Sequence, residues 1–261
     1  MNKYNLTDAL QRNLSFHSIP GRIISLVPSV TETLFDLGLR HAIIGRTKFC
    51  IHPKGLVETV KKVGGTKNIH INTIKDLSPD LIIANKEENT REDIEMLCKA
   101  FPVYISDIKN IMDLALFLKD MGSLFDKSYQ TEKLISDLLS SFPTRIVKNR
   151  KVVYIIWNKP LMTVGYDTFI HHMLQNQGFV NVFGHMTRYP VISEEDIRKA
   201  QPDFIFLSSE PYPFNEKHLK TFTKDFKKSR SVLVDGEAFS WYGTRILKSR
   251  SYFEHFHETL T

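Results

Sequence analysis

Aromatic residues recur at loop positions in the second half of this 261-residue chain, and their type suits them to bind a ligand. Trp157 ends an apolar, strand-like run, and Tyr166 precedes a predicted helix. Tyr212, Trp241 and Tyr242 follow two further strand-like runs. Flat rings offer a large contact area to planar, bulky ligands. We therefore expect all five residues to line a ligand site, with packing between loop and helix as the alternative for each.

A second group of candidates lies where the first strand-like run meets a helix. Pro28, Ser29 and Thr31 directly follow the apolar residues 22–27. Free N–H groups at a helix N-terminus can hold a carboxylate, phosphate or amide, so we expect these three residues to contact ligand. Ser29 and Glu32 also match the capping-box pattern, which predicts that Ser29 caps the helix.

The polar, irregular loop of residues 46–65 carries Phe49 and His52. Binding groups are common on loops held by a rigid scaffold, and we expect Phe49 to contact ligand. His52 with His70 and a carboxylate would suit zinc, iron or cobalt. The chain has no His-x-x-x-His or Cys-x-x-Cys spacing, so we predict neither a metal site nor a resident cofactor.

The charged segment 85–89 (NKEEN) follows another apolar strand directly. Its position at a strand end predicts that Lys86 lies near a bound ligand. Acids that follow, such as Glu92, also suit the N-terminus of a helix because they complement its dipole.

Motifs of known catalytic sites are absent from the sequence. The chain contains no Gly-x-Ser-x-Gly, Walker A, Gly-x-Gly-x-x-Gly or His-Glu-x-x-His pattern. Residues 64–67 (GGTK) lack the flanking glycine of a phosphate loop. We therefore predict a binding protein with no catalytic residues. The alternative is an α/β enzyme that holds a nucleotide or a sugar.

The elements that position these residues alternate between strand and helix in each half of the chain, which is typical of parallel βαβ units. In the first half we predict strands at 22–27, 42–45, 81–84 and 102–106, and helices at 29–39, 74–77 and 90–100. In the second half we predict strands at 152–157, 204–207 and 232–235, and helices at 168–177, 194–200 and 246–260.

Between the halves, apolar positions recur at helical spacing and predict two helices, at about 108–122 and 127–142. The predicted organisation is an N-terminal extension (1–20), an N-terminal α/β lobe (21–107), a connecting segment with a backbone helix (108–148) and a C-terminal α/β lobe (149–261).

The two halves contain similar sequence segments: residues 74–83 (IKDLSPDLII) resemble residues 197–206 (IRKAQPDFIF). A repeat at this separation indicates two Rossmann-like lobes of similar structure; a common helix-to-strand turn is the alternative. Because α/β sheets bind ligands beyond the carboxyl ends of their strands, we expect the ligand in a cleft between the lobes.

Composition narrows the class of protein further. The net charge of +6 is spread thinly rather than gathered in a stripe, so we predict no nucleic-acid partner. No stretch is apolar enough to span a membrane. Residues 1–22 have no apolar signal-peptide core, which predicts a cytoplasmic protein, or a periplasmic one if the true start lies upstream. The two cysteines, Cys50 and Cys98, are predicted to be free thiols, with one disulfide between them as the alternative, and the chain is predicted to be a monomer.

The order and spacing of three segments resemble the helical-backbone substrate-binding proteins of ABC importers, which take up cobalamin, iron–siderophore chelates and haem. The segments are 22–38 (RIISLVPSVTETLFDLG), 63–84 (VGGTKNIHINTIKDLSPDLIIA) and 192–208 (ISEEDIRKAQPDFIFLS). Residues 243–246 (GTRI) also look like the start of the family's last helix, and on this resemblance we add Arg245 to the ligand-binding candidates.

The resemblance implies a protein that binds a corrinoid or an iron chelate and docks on an ABC permease. Family members present an acidic group on each lobe to basic pockets of the permease. The candidates here are Glu87, Glu88 or Glu92 in the first lobe, and Glu210 or Glu216 in the second. An intracellular carrier or sensor for the same ligands, with the same fold, is the alternative.

Overall fold

The computed structural model describes residues 4–141 and 149–260, and the chain forms two compact α/β units. The first unit comprises Met1–Ile108, Met112–Asp137 and Tyr242–Arg245, and the second comprises Lys109–Ile111, Leu138–Trp241 and Ile246–Thr261. Each unit therefore contains a short segment that is distant in sequence from the rest of it.

The first unit is built around a parallel five-stranded sheet. In chain order its elements are β1 (Tyr4–Thr7), β2 (Asn13–Phe16), β3 (Ile23–Ser25), α1 (Pro28–Asp36), β4 (Ile43–Arg46), β5 (Lys61–Lys62), α2 (Ile71–Leu77), β6 (Leu81–Asn85), α3 (Arg91–Cys98) and β7 (Val103–Ser106). The strand order is β5-β4-β3-β6-β7, and β1 and β2 form a separate antiparallel hairpin. All five residues of β6 are buried, as expected for a central parallel strand covered on both faces.

The β1–β2 hairpin, which the sequence analysis did not anticipate, is attached to the edge strand β7. The Asp8 carboxylate accepts hydrogen bonds from the backbone N–H groups of Leu10 at 2.9 Å and Arg12 at 3.0 Å, and so shapes the hairpin turn. Ala9 N–H donates to the Ile105 carbonyl at 2.9 Å. The bond from Ala9 satisfies a carbonyl group that the edge strand β7 would otherwise leave open.

Two helices of 14 residues each, α4 (Ile111–Leu124) and α5 (Ser128–Ser141), follow β7 and agree with the two helices predicted at about 108–122 and 127–142, while residues 142–148 of the predicted connecting segment lie outside the described residues. The turn between them includes Asp126, whose φ is 52°. The first unit includes residues up to Asp137, so the change of unit falls within α5. Among the helices of residues 4–141 and 149–260, none has the length and apolar character needed to cross a membrane.

The second unit contains a parallel four-stranded sheet of order β9-β8-β10-β11. Its elements are β8 (Arg150–Ile155), α6 (Phe169–Asn176), β9 (Phe179–Asn181), α7 (Glu194–Ala200), β10 (Phe204–Ser208), α8 (Glu216–Asp225), β11 (Arg230–Val234), α9 (Gly236–Ser240), α10 (Arg245–Lys248) and α11 (Arg250–Leu260). The sequence analysis missed β9, α8 and α9, and it merged α10 and α11 into one helix.

The two units share one topology. In each, the first strand (β3 or β8) pairs with the second (β4 or β9) on one side and with the third (β6 or β10) on the other. The two similar sequence segments occupy the same place. The N–H of Asp80 donates to the carbonyl of Arg22 at 2.8 Å, and the N–H of Asp203 donates to the carbonyl of Lys151 at 2.9 Å. Two α/β units of Rossmann-like topology are therefore confirmed.

The prediction that Ser29 caps the first helix is wrong. Helix α1 begins at Pro28, its N-cap is Val27, and no side chain makes a capping hydrogen bond. Proline suits the first helical position because its missing N–H would have no partner there. Glu32, the other half of the predicted capping box, instead binds Arg245.

Candidate ligand-binding site

In the first unit, Asn89 joins three loops at the carboxyl edge of the sheet. Its side-chain amide donates to the carbonyls of Thr66 at 3.1 Å and Leu26 at 3.4 Å, and its carbonyl oxygen accepts from Asn85 N–H at 2.9 Å. Asn89 is only 5% exposed, so these bonds form out of water. The loops that carry the first-unit candidates are thus fixed relative to one another. The sequence analysis did not identify this residue.

The candidates on α1 lie beneath the surface. Thr31 is fully buried, and its hydroxyl donates to the Val27 carbonyl at 2.9 Å and lies 2.8 Å from Ser25 Oγ. This position leaves Thr31 no surface to offer a ligand. Pro28 is buried as the first residue of α1, and Ser29 is 5% exposed beside the phenol of Tyr242.

Arg245 is part of the packing between α1 and the 242–245 segment. Its guanidinium donates two hydrogen bonds to the Glu32 carboxylate, each 2.9 Å long. The side chains of Arg245 and Glu32 are 16% and 3% exposed. A bidentate pair this well buried occupies the guanidinium internally, so the structure gives the predicted ligand residue Arg245 a structural partner.

Gly243 precedes this pair and approaches α1 closely. Its φ is +87°, and a Cβ atom placed there would overlap the hydroxyl oxygen of Thr33. Next to it, the N–H of Thr244 donates to the same hydroxyl oxygen at 3.2 Å. Only glycine combines this backbone conformation with this distance of approach.

Tyr242 is 7% exposed in the first unit. Burial raises the pKa of its phenol above the ordinary value, and the nearby Glu88 and Glu87 carboxylates raise it further. The phenol is therefore neutral at physiological pH and can donate a hydrogen bond. Its neighbours include Ser29, so two predicted ligand residues do come together here.

Phe49 and Lys86 are the exposed first-unit candidates. Phe49 is 49% exposed, and the ammonium group of Lys48 lies 5.0 Å from its ring centroid, a distance typical of a cation–π contact. A Cβ atom on Gly65 would lie 3.4 Å from both side chains, so they rest on the 64–66 loop. The Lys86 ammonium group is 3.2 Å from Asp107 Oδ2 and its side chain is 45% exposed.

Both cysteines are free thiols, as predicted. Cys50 is fully buried, and its Sγ lies 3.1 Å from Thr31 Oγ1 and 3.2 Å from Thr47 Oγ1. Burial raises the pKa of the Cys50 thiol, which keeps it protonated and unreactive. No cluster of three or more His, Cys, Asp or Glu side chains suited to a metal ion occurs within 4–141 and 149–260.

In the second unit, two predicted ligand residues pack edge to face. The Trp157 and Tyr212 rings are 5.6 Å apart with an interplanar angle of 70°. Tyr212 also contacts Phe214, with centroids 4.7 Å apart, and its hydroxyl lies 3.0 Å from His218 Nε2. Trp157 keeps 39% of its surface exposed. We call Trp157, Tyr212, Phe214 and His218 the aromatic cluster.

An irregular ribbon beyond β8 supports this cluster. Trp157 and Met162 form an antiparallel bridge, and Met162 forms another with Val191. Tyr166 lies farther along the ribbon, where its N–H donates to the Met186 carbonyl at 2.9 Å, and its side chain is 56% exposed. The ribbon thus presents Trp157 and Tyr166 at the surface.

Trp241 is 7% exposed, and its indole Nε1 donates to Glu210 Oε1 at 2.9 Å. Burial raises the pKa of the Glu210 carboxyl, the hydrogen bond from Ser240 lowers it, and the Glu237 carboxylate raises it. The same Oε1 atom accepts the 2.7 Å bond from Ser240 Oγ. Glu210 is thus engaged inside the second unit, which does not suit the predicted docking role.

The remaining docking candidates differ in exposure. Glu92 and Glu216 are exposed in the first turns of α3 and α8, where negative charge complements the helix dipole. Glu87 and Glu88 are half-buried, close to Tyr242.

A groove with a volume of about 660 Å³ lies beside the aromatic cluster. Tyr212 and His218 line one part of it, and Phe222 and Phe226 line another. Its charged lining residues, Lys159, Lys217, Glu194 and Asp225, are all exposed.

Comparison with known proteins identifies the class of this chain. Residues 23–232 match the family described as "Periplasmic binding protein". The vitamin B12-binding protein of Vibrio parahaemolyticus is 29% identical over 195 residues, which cover 72% of this chain and 70% of that protein.

Solved structures agree at the level of the fold. A possible iron-binding, periplasmic solute-binding protein from Staphylococcus epidermidis superposes with a TM-score of 0.75 at 25% identity, covering 93% of this chain and 99% of that one. A periplasmic haem-binding protein from Pseudomonas aeruginosa gives 0.77 at 17% identity, covering 91% and 92%.

The chain therefore belongs to the periplasmic binding protein family, whose members are binding proteins rather than enzymes. The predicted family, fold class and substrate-binding function are confirmed.

Proposed function

We propose that this protein binds a cobalamin-like corrinoid or an iron chelate and delivers it to an ABC permease. The ligand class is supported by relatives named as vitamin B12-binding proteins and by a structural neighbour titled as a possible iron-binding protein. The observation that carries the proposal is the aromatic cluster with exposed Trp157, because a flat ring surface suits planar macrocycles and aromatic chelates.

The proposed ligand contacts include both exposed and buried candidates of each unit. In the first unit they are the exposed Phe49 and Lys86, together with the buried hydroxyl groups of Ser29 and Tyr242. In the second they are Trp157, Tyr166, Tyr212 and Trp241. Lysine and hydroxyl donors would bind the carboxylate or amide groups that corrinoids and chelates carry. Binding without chemical change is part of this proposal.

A thermal-shift screen tests the ligand class. The native chain is incubated with cyanocobalamin, haem, a ferric catecholate and a ferric hydroxamate, and with ATP and NAD as controls. A ligand present at 100 times its Kd stabilises the folded protein by about 2.7 kcal/mol. We expect stabilisation by at least one of the first four compounds. Stabilisation by the nucleotides alone would show that the chain is not a receptor of this class.

Matched variants test the residues. Phe49→Ala is compared with Leu10→Ala, because Phe49 and Leu10 are 49% and 48% exposed and Leu10 lies in the hairpin turn. Tyr166→Ala is compared with Val180→Ala, an exposed residue of β9. We expect Phe49→Ala and Tyr166→Ala to lose affinity about tenfold, and the two control variants to bind like the native chain. Equal affinities for a variant and its control would remove that residue from the site.

For transport, we propose that Glu92 and Glu216 contact the permease, because both are exposed acids, one in each unit. Charge reversal, Glu92→Lys with Glu216→Lys, is expected to abolish ligand uptake by cells but not ligand binding. Glu95→Lys, on the same helix as Glu92, is the control. Uptake unchanged by the double reversal would contradict this assignment.

We further propose that the protein is a monomer that works in the periplasm, the compartment named for its structural neighbours. Cell fractionation and size-exclusion chromatography test both points. Protein found only in the cytosolic fraction would instead favour the intracellular carrier.

A further inference from the structure

In the loop that follows β10, the Glu210 carboxylate is held by two neutral donors. Oε1 accepts the hydrogen bond of Trp241 Nε1 at 2.9 Å and that of Ser240 Oγ at 2.7 Å. A Cβ atom on Gly236 would overlap Glu210 Cγ and lie 2.7 Å from Ser208 Oγ. The absence of a side chain at Gly236 is therefore what allows the loop to pack this closely on α9.

A chain of hydrogen bonds connects the same loop to the sheet. Tyr154 donates from its hydroxyl to Ser208 Oγ at 3.0 Å, and Ser208 Oγ donates to the Glu210 carbonyl at 2.6 Å. Gly236 N–H donates to Ser209 Oγ at 2.9 Å. Tyr212, two residues beyond Glu210, belongs to the aromatic cluster. The loop that carries Tyr212 and the segment that carries Trp241 are thus joined at Glu210.

The charges that face Glu210 are acidic. Glu237 on α9 and Asp235 at its N-cap both disfavour a second negative charge, and the buried Tyr154 phenol is neutral because burial raises its pKa. The two hydrogen-bond partners of the Glu210 carboxylate within the described part of the chain are uncharged. Glu210 therefore occupies a position that is unfavourable for an ionised group, which points to a role other than stability.

We propose that Glu210 is a positioning residue: its carboxylate fixes the indole of Trp241 and, with it, the loop that carries Tyr212, so that both rings face the ligand in one arrangement. This inference rests on the proposed function, because it requires that Trp241 and Tyr212 contact the ligand.

Stability and affinity should respond in opposite ways to Glu210→Gln. Burial raises the pKa of Glu210 above its value in the unfolded chain, so ionisation weakens the fold. This destabilisation is absent below the pKa of Glu210 in the unfolded chain, and it develops as the pH rises through the pKa of Glu210 in the folded chain. Glutamine keeps the shape and removes the charge, so thermal stability at pH 7.5 is expected to stay equal or rise. Hydrogen bonds to a charged acceptor are stronger than those to a neutral one. Glutamine at position 210 should therefore hold the Trp241 indole too weakly to keep it in one position.

The first measurement requires no ligand. In a Trp157→Phe background, Trp241 is the only tryptophan of the chain, and its emission is recorded from pH 3.5 to 8. We expect one transition with a midpoint above the ordinary glutamate pKa, and no transition when Glu210→Gln is added. Glu195→Gln, an exposed acid on α7, is the control and should retain the transition. A transition that persists in Glu210→Gln, or none in the background variant, would overturn the proposal.

The second measurement titrates cyanocobalamin and haem into the chain with Trp157 intact. We expect Glu210→Gln to weaken binding about tenfold with no fall in the melting temperature, and Glu195→Gln to bind like the native chain. Unchanged affinity in Glu210→Gln, or a parallel loss of stability and affinity, would overturn the positioning role. If neither probe binds the native chain, the proposed function fails for those ligands, and the fluorescence transition alone decides whether Glu210 fixes Trp241.

Discussion

Removal of the Arg245 guanidinium should destabilise the first unit severely, because it would break a buried, bidentate ion pair with the Glu32 carboxylate. The Glu32 side chain is 3% exposed, and Arg245 provides both of the 2.9 Å hydrogen bonds between them. Removing one partner of a buried ion pair costs about 3–5 kcal/mol. For a protein of this size, each kcal/mol corresponds to about 2–4 °C, so Arg245→Ala should lower the melting temperature by roughly 6–20 °C.

A second substitution separates the ion pair from the rest of the side chain. In Arg245→Met with Glu32→Gln, neither member of this pair carries a charge, and replacing a buried ion pair by uncharged groups is often close to neutral. We therefore expect the double variant to recover most of the lost stability. The assay is differential scanning calorimetry of the two variants and the native chain, followed by ligand titration of each folded variant.

Two outcomes would contradict this assignment of Arg245. If Arg245→Ala melts like the native chain but loses ligand affinity, Arg245 is a ligand contact, as its sequence motif suggested, and the ion pair contributes little. If the double variant is as unstable as Arg245→Ala, the loss of stability comes from packing rather than from the broken ion pair.

Three further outcomes are expected. Gly243→Ala should disrupt the contact between the 242–245 segment and α1, because φ is +87° and the new Cβ would overlap Thr33 Oγ1. We expect the free energy of unfolding, measured by chemical denaturation, to fall by more than about 1 kcal/mol. A variant as stable as the native chain would contradict this close approach. Asn89→Ala should lower the free energy of unfolding by about 1–3 kcal/mol and raise the rate of amide hydrogen exchange in the 64–66 and 85–88 loops, because three buried hydrogen bonds are lost. Unaltered exchange would show that Asn89 does not hold these loops in place. A thiol reagent should modify Cys98 in the native chain and Cys50 only after denaturation, since Cys50 is fully buried with a raised thiol pKa; rapid modification of both thiols at neutral pH would refute this.

Periodicity and turn residues predict most of the regular structure of this chain. The strand of residues 81–84 is a continuous apolar run after Pro79, and the structure buries all of β6. The prediction for α7 matches at both ends, because Ser193 and Asp196 form a true capping box. In each case the signal lies within a few residues of the element, which is the range that local patterns can report.

Two of the missed features involve partners distant in sequence, and a third is local. Ser29 and Glu32 match a capping box locally, yet Glu32 binds Arg245, which is 213 residues away. The β1–β2 hairpin alternates buried and exposed residues, and the apolar residues Tyr4, Leu6, Leu14 and Phe16 show this alternation in the sequence. A search for strand patterns in that region would therefore have found it. The bond between Glu210 and Trp241 has no local signal in the sequence, so the sequence did not indicate it.

For the candidate site, the sequence predicted which residues come together more successfully than it predicted what each side chain does. Trp157 and Tyr212 do come together, because each follows one of two neighbouring strands, β8 and β10, in a parallel sheet. Thr31 also comes shortly after a strand, β3, but it lies within α1, and its short side chain points into the unit and bonds to Val27 and Ser25. Position at a strand end cannot distinguish these cases, because the direction of a side chain depends on the packing around it.

The most direct test of the account is calorimetric titration of the native chain, Trp157→Phe and Trp157→Ala with the compound that stabilises the protein most. The account predicts one binding site, affinity close to native for the phenylalanine variant, and a loss of roughly 1–3 kcal/mol of binding free energy for the alanine variant without unfolding. Native affinity in Trp157→Ala, or no binding of any corrinoid or iron chelate by the native chain, would contradict it.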